Sequence, residues 1–231
     1  MNVTEQFVLR KENDMKKTSK FVMILLIIVA TISLLCLFKI EIGGERLQLA
    51  SFTLIIGIVA FFVTRKTNDD KNEGLNHKTI LSFLKKRNII ILIFMPMLMN
   101  VISLFIATLF VPDFIKHLTA RTDFLEFNMI PVLIIELIIA ALGEEIAWRA
   151  FFQKQLSKIL PFVPSLIVSS ALFSICHFYE GNSIVVIYDL LFVFINAIFY
   201  GIIFKKTDNA FISTIAHFLA NLFGTVAIMF L

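Results

Sequence analysis

Charge is scarce in this sequence. Asp, Glu, Lys and Arg make up 16% of its 231 residues, where a soluble domain carries about a quarter. Proline is rare as well, at five residues, while phenylalanine reaches 26 and 58% of the chain is hydrophobic. Mean hydropathy is +0.89. Cysteine is limited to Cys36 and Cys176, each inside an apolar segment and with no CxxC spacing, which excludes a disulfide framework and a metal–thiolate site. The chain has no internal repeat, low-complexity tract, P-loop or dinucleotide signature, and no HExxH helix. What is present is a series of long, continuous apolar runs. A β-barrel would alternate with period two. These runs do not, and lipid obliges each spanning segment to satisfy its own backbone. The fold class is therefore all-α, a polytopic transmembrane helical bundle.

At about 20 apolar residues per crossing, the expectation is seven spans: Phe21–Phe38, Leu47–Val63, Ile89–Phe110, Phe127–Leu142 and onward, Pro161–Tyr179, Ser183–Phe204 and Ala210–Leu231. The first follows a polar 20-residue tail without a small-residue cleavage site, so it reads as a retained span. An N-terminus in the cytoplasm puts sixteen basic residues inside, from Arg10 to Lys206. Four lie outside (Lys39, Arg46, Lys116, Arg121), and Arg149 completes the 21. That bias sets the orientation. The net charge of +4 then reflects topology and attraction to anionic membrane lipid, with no role for nucleic acid. The polar connection 64–88 reads as a solvated loop with a short interfacial helix. It separates a tail and N-terminal hairpin (1–88) from a five-span unit (89–231).

Ionisable groups at membrane depth are costly and by default mark function. Glu144, Glu145 and Arg149 form one cluster, His177 with Phe173 a second, and His217 with Asn221 a third. Spacing of four puts Glu145 beside Arg149 and His217 beside Asn221, whereas Glu144 points about 100° from Glu145 toward a different neighbour. An uninterrupted helix from Glu144 to Leu160 spans 16 residues, about 24 Å, and Pro164 to His177 spans 13, about 20 Å, so the two side chains are nearly level. His217, eight residues past Asn209, is shallower at about 12 Å. The geometry permits one pocket reached from the cytoplasmic side. The alternatives are structural: a Glu–Arg pair locking helices, and histidines or Asn221 bonding between helices. His77 and His117 fall in polar connections and are read without a chemical role. Glu136 and Asp189 have no visible partner and are read as structural or rim-facing.

A carboxylate beside a histidine can hold a water and take its proton. A second histidine and an amide can donate to the oxyanion of a tetrahedral intermediate, and an Arg–Glu pair orients the base. Amide hydrolysis fits this set. A zinc ion on Glu144, His177 and His217 is chemically compatible, since His₂Glu leaves a position for water. The reading taken is no bound metal.

"EEIAWR", "FSICH" and "HFLAN" resemble, in order, the EExxxR, FxxxH and HxxxN motifs of the CPBP family, which includes the type II CAAX prenyl endopeptidases and the bacterial Abi proteins. The resemblance covers about 127–224. It implies an intramembrane endopeptidase whose cavity opens to the cytosol, with Glu144 and His177 activating water, His217 and Asn221 as oxyanion donors, and Glu145 and Arg149 in support. Ala150 stands where many family members have glycine after the motif arginine.

The substrate expected is a membrane-embedded peptide or protein, with the oligomeric state open. Richness in Phe, Ile, Lys and Asn points to a bacterial cell membrane, where relatives resemble peptide processors or bacteriocin self-immunity factors. The competing class is a non-proteolytic membrane protein, either an immunity or sensor-partner factor or a transporter with a buried acid relay.

Overall fold

A computed structural model describes residues 20–38, 40–42, 45–66, 74–122 and 129–230. The polar tail (1–19), the middle of the 64–88 connection (67–73) and the start of the expected fourth span at Phe127 lie outside the described residues.

The chain folds as helices that follow the apolar runs. Helix α1 is Lys20–Leu35. A two-residue hairpin, β1 (Glu41–Ile42) antiparallel to β2 (Glu45–Arg46), leads to α2 (Leu49–Lys66). The polar connection contains a 3₁₀ turn, His77–Thr79, capped by the Asn76 side chain, and a short helix, α3 (Ile80–Leu84). Then follow α4 (Arg87–Phe110), the short α5 (Phe114–Arg121), and α6 (Ile130–Glu145). Helix α6 runs without a break into a π-helical segment, Ile146–Gln153, and α7 (Lys154–Leu156). Helices α8 (Phe162–Ile175), α9 (Ser183–Thr207) and α10 (Ala210–Phe230) complete the bundle.

Each of the seven expected runs holds a helix. Four of these, α2, α4, α9 and α10, are long and apolar enough to cross a membrane, and α1 and α8 are shorter apolar helices. The molecule is a multi-pass helical membrane protein.

Hydropathy does not mark the core here, because both faces of a span are apolar. Helix α4 exposes Ile91, Phe94, Leu98, Val101, Phe105 and Leu109 at helical spacing, while its buried positions are Ile89, Ile93, Pro96, Ser103 and Ala107. Large side chains face outward as they would to lipid, and smaller or polar ones face the bundle, where close helix approach replaces hydrophobic drive. Polar side chains do the joining. Asn196 Nδ2 on α9 donates to Asn100 Oδ1 on α4 (2.7 Å), and Asn100 Nδ2 donates to the Ala220 carbonyl on α10 (2.9 Å).

The two ends of the bundle differ. Chain reversals after α2, before α4, and between α9 and α10 meet at one end. There Asn209 Nδ2 donates to the Asn76 carbonyl (2.7 Å), Ala210 N to the Gly74 carbonyl (2.8 Å), and Lys154 Nζ to Asp208 Oδ1 (2.5 Å). Gly74 has φ +77°, a conformation that favours glycine, and its position lies against Phe61 and Ala150. This end carries Lys20, Arg65, Lys66, Lys78, Lys85, Lys86, Arg87, Lys154, Lys158, Lys205 and Lys206, and is called the basic end below. The hairpin, α5 and the C-terminal turn of α10 occupy the opposite end.

The uninterrupted α-helix expected from Glu144 to Leu160 needs correcting. Residues 146–153 are π-helical, with the amide of Lys154 bonded to the Arg149 carbonyl, and the helix stops at Leu156. All eight π residues are buried. Helix α2 presses so close that a Cβ on Gly57 would lie 2.6 Å from Ala147 Cβ. The wider π turn carries Trp148, Arg149, Phe151 and Phe152 inward together, and such turns concentrate at functional sites.

Candidate active site

Glu144 and Glu145 end α6, and the π segment places Arg149 one turn on. Glu145 and Arg149 are fully buried, with Arg149 Nε 3.5 Å from Glu145 Oε2. The guanidinium also lies over the rings of Phe173 (4.9 Å) and Tyr200 (5.9 Å), and Nη1 reaches Ser169 Oγ at 3.5 Å. A charge buried this deeply requires a partner, and the aromatic faces add attraction.

His177 follows the last turn of α8. Its Nδ1 lies 2.9 Å from the Phe173 carbonyl, and its Nε2 is 3.9 Å from Glu144 Oε2. A carbonyl only accepts, so Nδ1 carries the proton and, in the neutral ring, Nε2 presents a lone pair toward Glu144. Two acceptors thus face each other across 3.9 Å, beyond direct hydrogen-bond reach.

His217, on α10, is the junction of the cluster. Its Nδ1 is 3.1 Å from Glu145 Oε1 and its Nε2 is 3.5 Å from Glu144 Oε2. The ring stacks on Tyr200 at 4.4 Å with 17° between planes, and meets the edge of Phe173 at 5.9 Å. Asn221, one turn further along α10, lines the same cavity as Glu144, His177 and His217.

Glu144 and Glu145 thus share one neighbour, His217, while His177 lies beside Glu144 alone and Arg149 beside Glu145. The expected depth mismatch also shrinks. With the helix ending at Leu156, Glu144 lies 12 residues from that end, about 18 Å, against about 12 Å for His217. Side chains span the remaining difference.

The cavity has a volume of about 870 Å³. Its lining includes Trp148, Phe173, Tyr200 and His217 at the level of the cluster, then Asn100, Asn196 and Asn221, then Phe38, Gln48, Arg121 and Tyr179. It therefore extends away from the basic end. On the basic side of the cluster, Phe151, Ile203, Ala210, Ile212 and Ala216 are all 0% exposed. The pocket reached from the basic, expected cytoplasmic, side is corrected on this point. Equal depth from the basic end says how far in the cluster lies, whereas packing decides from which end it is open.

Several residues at the cavity were not picked out from sequence. Asp189, read as unpartnered, accepts from Arg121 Nη1 (2.8 Å) and lies 3.3 Å from His117 Nε2, a buried ring against Tyr179. His117 belongs to α5 rather than to a polar connection, and it and Arg121, one turn apart on α5, meet an aspartate far away in the chain. Glu136 lines the cavity, and its Oε2 is buried without a hydrogen-bond partner among the described residues. The sulfurs of Cys36 and Cys176 lie 3.9 Å apart. Asn100 and Asn196 sit mid-helix in apolar runs, and an amide inside a span was the one available signal for them.

The donor set Glu144, His177 and His217 has the residue types of a zinc site. Among the described residues, however, no group of three or more His, Cys, Asp or Glu is arranged to hold a metal ion.

The fold and this cluster together define a multi-pass membrane protein with a buried acid–histidine centre at the floor of a cavity. Residues 126–223 match the family model described as type II CAAX prenyl endopeptidase Rce1-like. Over that stretch, which contains all the cluster residues, the chain is similar to the type II CAAX prenyl endopeptidases. Comparison with curated proteins and with solved structures returns no match.

Proposed function

We propose that this chain is an intramembrane endopeptidase that hydrolyses a peptide bond in a membrane-associated peptide or protein. The observation that carries the reading is the convergence of the His177 and His217 Nε2 atoms on one oxygen of Glu144, at 3.9 and 3.5 Å, at the bottom of a cavity. The Rce1-like match over the same residues supports it. The bundle crosses the bilayer seven times with its basic end in the cytoplasm.

In this reading a water lies between Glu144 and His177. Glu144 takes its proton as the oxygen attacks the substrate carbonyl carbon, forming a C–O bond. The carbonyl oxygen becomes an oxyanion and accepts from Asn221 Nδ2 and from His217 Nε2. Donation from Nε2 requires both His217 nitrogens to be protonated, and Glu145 accepts from Nδ1. As the C–N bond breaks, Glu144 returns the proton to the leaving nitrogen. Arg149 holds the Glu145 carboxylate in place. The residues act without a metal ion in this scheme.

The test is substitution with peptide analysis of whole membranes. Glu144→Ala removes the general base, an effect of about 10²–10⁴ in rate, and His217→Ala removes an oxyanion donor, about 10²–10³. Both chains should remain in the membrane at wild-type level while peptides released by the wild type disappear. Full biological activity in both variants would sink the protease reading and leave a non-proteolytic role such as self-immunity.

A further inference from the structure

We infer that the site is served from the extracytoplasmic side of the membrane, so that its substrate is a polypeptide segment displayed on that face. This rests on the protease reading for the word substrate, and on the fold alone for the side of access.

Two independent observations meet here. The first is the distribution of charge. The described basic end gathers eleven Lys and Arg residues, Lys20, Arg65, Lys66, Lys78, Lys85, Lys86, Arg87, Lys154, Lys158, Lys205 and Lys206. The described basic residues of the opposite connections are three, Arg46, Lys116 and Arg121. Short basic connections stay in the cytoplasm, so the hairpin and α5 lie outside.

The second is where the protein is solid and where it is open. From the cluster toward the basic end the helices touch. A Cβ on Gly201 would collide with a Leu166 methyl and fall 2.5 Å from Gln153 Oε1, and Gln153 Nε2 donates to the Gly201 carbonyl at 3.1 Å. Phe151, Ile203 and Ile212 fill the remaining space at 0% exposure. A peptide has no path through this plug. From the cluster toward the hairpin the cavity is continuous, passing Asn221, Asn196 and Asn100 to Gln48, Ala120 and Arg121 at its mouth. Its volume of about 870 Å³ falls in the range of pockets that enclose a ligand, enough for a few residues of extended peptide. Amide side chains along the wall offer donors and acceptors that an unpaired backbone needs once it leaves water. Exported peptides and the outer juxtamembrane segments of other membrane proteins are the polypeptides available on this face.

The experiment is cysteine accessibility in the full chain, in a Cys36→Ser, Cys176→Ser background, expressed in cells. Single cysteines are introduced as Gln48→Cys and Ala120→Cys at the mouth, Ala140→Cys one turn from Glu144 inside the cavity, and Lys158→Cys and Lys205→Cys at the basic end. The probe is a membrane-impermeant thiol reagent. Gln48→Cys, Ala120→Cys and Ala140→Cys should label in intact cells, while Lys158→Cys and Lys205→Cys label only after permeabilisation. The reverse pattern at the mouth and basic-end positions overturns the orientation. Correct orientation with Ala140→Cys reacting only in inverted vesicles overturns the side of access. Neither readout uses catalysis. A Glu144→Ala chain that labels as expected yet keeps full activity removes the protease reading and leaves the side of access standing.

Discussion

On the basic side of the glutamates the bundle is packed through glycine, alanine and buried aromatics. On the other side the same helices stand apart around a cavity braced by amides. Gly57 meets Ala147 and Gly201 meets Leu166 and Gln153 at distances no added methyl would fit, while Asn100 spans α9 and α10 by its two polar atoms. Small residues let backbones approach, and long polar side chains hold them at a distance while satisfying buried groups. The acid–histidine cluster sits where one regime gives way to the other. Glu145 and Arg149 belong to the packed side, at 0% exposure, and Glu144 and His177 face the cavity.

Three substitutions separate the two regions. Arg149→Ala acts at their boundary and has the largest expected effect on stability. It leaves Glu145 fully buried without its guanidinium partner, and breaking such a pair costs about 3–5 kcal/mol. The thermal unfolding midpoint of the purified chain in detergent should fall sharply and peptide release should cease; a midpoint equal to wild type would show that the pair carries no structural weight. Gly201→Leu strikes the packed side alone. Overpacking of this kind costs about 1–3 kcal/mol, read as a lower midpoint with residual activity scaling to the folded fraction. If stability were unchanged, the basic end would be looser than described. Asn100→Ala strikes the cavity side alone, removing the bonds to Asn196 and Ala220. The loss should be about 1 kcal/mol. Because Ala220 adjoins Asn221, turnover should fall more than stability does, and equal falls would make Asn100 a purely structural brace.

The helices and most cluster residues were legible in the sequence for one reason. A span must be long, apolar and internally bonded, so any charge within it stands out. Glu144, Glu145, Arg149, His177, His217 and Asn221 were found in that way, and the structure gathers the first five into one network, with Asn221 on the same cavity wall. Asp189 stood out too, but its partners His117 and Arg121 are about 70 residues away in the chain. No local spacing encodes such a contact. The π turn was invisible because its residues have the same apolar pattern as an α-helix.

By itself the sequence determined a helical membrane protein, where its helices run, which end is basic and which polar residues sit at depth, because each follows from composition and spacing along one segment. Only the tertiary structure decided that one histidine touches both glutamates, that Arg149 is sealed between two aromatic rings, and that the cavity opens away from the basic end. These depend on which face each helix turns to its neighbours. On helices apolar all round, hydropathy does not specify that face; close contacts between small residues and a few buried polar bonds do.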